Sequence, residues 1–71
     1  MNLVSVKSSN LAAVGYGRES STLRILFLEG AMYDYYNVPA SLYDQLMEAS
    51  SKGSFFQEHL VGGLFKYQKN Q

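Results

Sequence analysis

Residues 22–39, TLRILFLEGAMYDYYNVP, constrain the fold more than any other part of the chain. Leu23, Ile25 and Phe27 alternate with Arg24, Leu26 and Leu28, the two-residue period of a β-strand. Gly30 marks a turn, residues 32–38 form a second strand, and Pro39 stops it. Two hairpins fit. A two-residue Glu29-Gly30 turn pairs Phe27 with Met32 and sets Asp34 on the face of Ile25. A three-residue Leu28-Glu29-Gly30 loop, with Gly30 left-handed, sets Tyr33 and Tyr35 beside Leu23 and Ile25. The second is preferred because it keeps a carboxylate out of the core. It leaves Arg24, Leu26, Met32, Asp34 and Tyr36 on an outer face too apolar for plain solvent surface.

The flanking segments extend this hairpin. Val4 and Val6 alternate with Ser5 and Lys7, which predicts a short edge strand. Ser8-Ser9-Asn10 is a turn-prone triplet, and the apolar residues 11–16 form the first full strand. After the hairpin, Leu42, Tyr43, Leu46 and Met47 make one helical stripe, so residues 39–49 form an amphipathic helix with Pro39 in its first turn. Ser54 with Gln57 resembles a capping box for a short helix over residues 55–60, ended by Gly62-Gly63. Residues 64–67 supply a final strand or an extended arm, and 68–71 a frayed tail. The fold class is α+β: a small three-stranded antiparallel meander followed by two short helices, with room for an extra terminal strand. One domain spans 1–71, its core about 4–67.

Seventy-one residues leave no space for a second domain. A core this small usually needs a staple or a partner, and with no Cys and one His neither a disulfide nor a zinc site of the usual kind is available. The ten aromatics and the apolar outer face therefore predict a homo-oligomer, most simply a two-fold dimer. Six basic and six acidic side chains balance to zero, so the phosphate-driven affinity of a general nucleic-acid binder is missing. The chain shows neither a membrane-length apolar run nor a leader-like start, and the expectation is a cytoplasmic protein.

In order along the chain stand Val6-Lys7-Ser8-Ser9-Asn10-Leu11, Val14-Gly15-Tyr16, and Leu23-x-Ile25-x-Phe27-x-x-Gly30-x-x-Tyr33-x-Tyr35. Val38-Pro39-x-x-x-Tyr43 and Ser51-x-Gly53-x-Phe55-Phe56 follow. The pattern, over roughly residues 4–67, resembles the KTSC domain. That module is named for the C-terminus of some lysyl-tRNA synthetases and also occurs as small stand-alone proteins of bacteria and phages. The resemblance implies RNA binding, suggested for the family from its synthetase company. This chain departs from the family after the second helix: Leu60-Val61-Gly62-Gly63-Leu64 carries no basic residue before Lys66.

Several residues are candidates for contact with a ligand, each beside a plainer role. Tyr33-x-Tyr35 is either a stacking platform for a base or a pair of core rings with hydroxyls at the rim. Tyr36, on the opposite face, suits a ligand or a second subunit. Ser51, Lys52, Gly53 and Ser54 precede a helix and either hold a phosphate or form a capped turn. Ser8, Ser9 and Asn10 either line a pocket or cap themselves. Arg24 clamps an anion or pairs with Asp34 across the strands. His59 lacks a nucleophile or carboxylate partner legible in sequence, and a surface role is the simpler one. Asp44 and Glu48 lie on a solvated helix face. No cofactor and no catalysis are expected.

The leading expectation is a non-catalytic module that captures a small nucleotide-like ligand. Its base or ribose packs on Tyr or Phe rings, with phosphates near Ser51, Ser54, Lys52 and Arg24. In a phage such a protein acts in the host cytoplasm as a sponge for a host immune signal. The alternatives are RNA or tRNA binding, and a protein–protein adaptor or inhibitor using the outer face.

Overall fold

The computed structural model describes residues 1–70. Five strands, β1 (Leu3–Ser5), β2 (Leu11–Gly17), β3 (Thr22–Phe27), β4 (Met32–Tyr35) and β5 (Tyr67–Lys69), form one antiparallel sheet in sequence order. The expected three-stranded meander is its centre, β2 to β4. The edge expected near Val4 is β1, which pairs Val4 with Val14. The fifth strand begins later than residues 64–67 suggest. Just past Lys69, Asn70 N–H donates to Met32 O at 2.7 Å, so residues 68–69 are strand and Asn70 is tied to the sheet, where a frayed tail was expected. Gln71 lies outside the described residues. Three-residue strands at both edges are too short for a sequence window to resolve, and their pairing depends on partners far along the chain.

The hairpin adopts the three-residue loop. Leu23 pairs with Tyr35 and Ile25 with Tyr33, and Gly30 has φ 106°, a left-handed conformation that costs glycine little. Arg24 and Asp34 consequently share the outer face. A bulge at Ala12 shifts the β2–β3 register, letting both Leu11 and Val14 enter the core.

Helix α1 (Ala40–Glu48) and helix α2 (Lys52–Phe56) cover the other face. Pro39 stands just before α1 in extended conformation, and its carbonyl accepts from the N–H groups of Leu42 and Tyr43. The stripe read from the sequence packs inward: Leu46 is fully buried, and Leu42, Tyr43 and Met47 flank it. Tyr16 and Tyr43 stack at 4.9 Å, with the Arg18 guanidinium over both rings. The cap of α2 is Ser51 rather than Ser54: Ser51 Oγ accepts from Ser54 N–H at 3.4 Å. The helix therefore starts three residues earlier than the Ser54–Gln57 pairing predicts. It continues into a π-helical segment, Gln57–Val61. The core joins Leu11, Val14, Leu23 and Ile25 from the sheet to Val38, Leu46, Phe56 and Leu60.

Candidate functional site

Alternation in β3 and β4 puts Phe27, Tyr33 and Tyr35 on the helix-covered face. The return of the chain as β5 adds Tyr67 directly opposite Tyr35. Helix α2 brings down Phe56. These five rings close a circuit. Phe27 meets Tyr33 at 5.8 Å, Tyr33 meets Tyr67 at 5.9 Å, and Tyr67 meets Tyr35 at 5.4 Å. Tyr35 meets Phe56 at 5.4 Å, and Phe56 returns to Phe27 at 5.6 Å. The circuit lines a cavity of about 430 Å³ between the sheet and the π-helical segment. Leu60, Val61 and Phe65 complete its apolar lining, and Glu29 and Gln57 bring polar groups to it.

Tyr35 is 6% exposed, whereas Tyr67 is 61% exposed. Burial, followed by the neighbouring phenols of Tyr67 and Tyr33, raises the Tyr35 pKa above the ordinary tyrosine value. Among the described residues no buried side-chain polar atom lacks a partner and none partners Tyr35 Oη, so the hydroxyl is not sealed off from its surroundings. It is thus open to water or to a ligand.

A second, shallower furrow begins where the cavity ends, with Gln57 common to both. It is lined by Ser9, Asn10, Ser51, Gly53, Ser54 and Glu58. Two segments singled out in the sequence, some forty residues apart, therefore meet. Ser8 Oγ organises the first. It donates to Asn10 Oδ1 at 3.1 Å and accepts from the N–H groups of Asn10 and Leu11. Ser51 and Ser54 face each other at 2.9 Å through their hydroxyls.

The remaining candidates lie elsewhere. Lys52 Nζ donates to Ala49 O at 3.1 Å, satisfying the end of α1 instead of facing the furrow. Arg24 is on the opposite side of the sheet, held to Asp34 by two hydrogen bonds of 2.7 and 2.9 Å. That pairing, with help from Asn70, keeps the Asp34 carboxyl below its ordinary pKa against the opposing effect of burial. Tyr36 shares that outer face and bonds Gln68. His59 is exposed and packs on Phe55 at 4.3 Å. Neither Arg24 nor Lys52 thus lines the Ser51–Ser54 furrow expected to hold phosphate. Sequence reasoning missed Phe27, Glu29, Phe56, Gln57, Phe65 and Tyr67 as lining residues. The signal for Tyr67 was its place in a terminal strand, which becomes informative only once that strand is paired with β4.

The model of the KTSC domain matches residues 7–65. The chain belongs to the KTSC domain family. A crystal structure of a KTSC domain protein from Yersinia pestis superposes with a TM-score of 0.87 at 32% identity, covering 99% of this chain and 97% of that one. An uncharacterized protein of Stutzerimonas stutzeri is 38% identical over 67 residues, 94% of either chain. A lysine–tRNA ligase of Nostoc sp. is 33% identical over 67 residues, which are 94% of this KTSC chain but 12% of the ligase. Among the described residues of this KTSC domain, no helix is long and apolar enough to cross a membrane.

Proposed function

We propose that this KTSC domain is a non-catalytic binding module that captures a small nucleotide-like ligand by its base. The supporting observation is the five-ring cavity joined through Gln57 to a furrow of hydroxyls and amides. Aromatic walls offer stacking to any flat ring, and the furrow offers Ser9, Asn10, Ser51 and Ser54 to the hydroxyls of a ribose. Neither depression has a Lys or Arg in its lining, so the base and sugar, rather than phosphate, carry the affinity. Capture without turnover amounts to sequestration, the sponge role.

Calorimetry with a panel of nucleosides and mononucleotides tests this reading. Tyr67→Ala removes an exposed wall of the cavity and is expected to weaken binding at least tenfold. Unchanged affinity in that variant places the base elsewhere, and absence of binding across the panel ends the reading. A second reading, contact with tRNA, rests on the likeness to part of lysine–tRNA ligases. It requires an affinity that falls steeply with salt.

A further inference from the structure

The cavity has an electrostatic character that stacking alone does not use. Aromatic rings present negative faces and positive edges. Where several surround one space, the faces that turn inward attract a cation, most strongly one that is weakly hydrated, such as an alkylated nitrogen. Phe27, Tyr33, Tyr67, Tyr35 and Phe56 all line one such space. The charged side chain lining the cavity is a carboxylate, Glu29, and the one lining the adjoining furrow is another, Glu58. Glu29 also borders a third depression, next to Ser9 and Asn10, so it stands where cavity and turn meet. Lys52 and Arg24 are engaged away from it, with Ala49 and with Asp34, and Lys69, which pairs with Tyr33 across β4 and β5, is not part of the lining. A cation entering here meets aromatic rings and the carboxylate of Glu29, with no lysine or arginine among the lining side chains.

From this charge complementarity we infer that the site selects a positively charged, N-methylated nucleobase over its neutral parent. The inference rests on the base-capture reading above and adds the sign of the ligand's charge. A methylated ring nitrogen spreads its charge over a flat, poorly hydrated surface, which stacks on the tyrosines while Glu29 accepts hydrogen bonds from its amino or imino edge.

The test is calorimetry at pH 6.5 with 1-methyladenosine against adenosine and 7-methylguanosine against guanosine, using the full chain. The methylated member of each pair is expected to bind at least tenfold tighter. Glu29→Gln, at an exposed hairpin apex, should shrink that ratio severalfold. Asp44→Asn makes the same change in net charge on α1, away from the cavity, and should leave the ratio as it is. Tetramethylammonium chloride should compete with 1-methyladenosine, whereas sodium chloride at equal ionic strength should not. Equal affinity for methylated and parent nucleosides overturns the inference and leaves base capture standing. Failure of all four nucleosides to bind overturns both. Binding of tetramethylammonium alone also overturns both and assigns the cage to a simple alkylammonium ligand.

Discussion

The space that a Cβ of Gly53 would take is filled by the side-chain amide of Asn10. Asn10 Oδ1 lies against that position, with Asn10 Cγ at 3.3 Å and Ser8 Oγ at 3.4 Å behind it. This contact joins the turn before β2 to the start of α2, and it shapes the polar furrow.

Gly53→Ala therefore sets two effects against each other. Alanine gains about 1 kcal/mol of helix propensity, and displacing Asn10 forfeits its bond from Ser8, about 1 kcal/mol. The expected outcome is a melting temperature close to wild type with a shifted Asn10 side-chain amide resonance. Ser8→Ala has no such compensation. It strips the acceptor from two backbone N–H groups and is expected to cost about 1–2 kcal/mol in urea unfolding.

The Arg24–Asp34 pair predicts unequal partners. The Asp34 side chain is 8% exposed and that of Arg24 33%. Arg24→Ala leaves a nearly buried carboxylate with Asn70 as a remaining partner and should cost about 2–3 kcal/mol at neutral pH. Asp34→Asn leaves a guanidinium that water still reaches, and should cost about 1–2 kcal/mol.

Acid should erase the benefit of that pair. The Asp34 carboxyl is held below its ordinary value, first by the Arg24 hydrogen bonds. The native state gains this stability above the unfolded pKa, about 3.9, and loses it as pH falls through the folded value. Urea unfolding of wild type and Asp34→Asn from pH 7 downward should show the gap between them closing in that range.

Tyr35 predicts the opposite end of the scale. Its phenol is raised above the ordinary value of about 10 by burial, then by Tyr67 and Tyr33. The resulting stabilisation is complete below the unfolded pKa and disappears as pH rises through the folded one. Absorbance at 295 nm should show one late-titrating tyrosine, absent in Tyr35→Phe.

Tyr67→Ala should separate binding from folding. The ring is largely exposed, so stability should change by about 1 kcal/mol or less, while the cavity loses one wall. Urea unfolding and calorimetry on the same preparation check both.

The sequence by itself determined the hairpin register, the Gly30 loop and the inward stripe of α1. Each depends on residues a few positions apart, where a period of two or 3.6 and one glycine leave little choice. It also pointed to the Ser8-Ser9-Asn10 turn and the Ser51–Ser54 segment, because short polar side chains and glycine announce turns and caps locally. Tertiary structure alone decided that these two segments share a furrow, that Arg24 faces away from it, and that β5 closes the aromatic circuit. Tyr35 and Tyr67 are thirty-two positions apart, and no local preference says where a chain returns. That return is set by closing a long loop against the burial gained when β5 and the π-helical segment meet the sheet, a balance that exists only in the assembled fold.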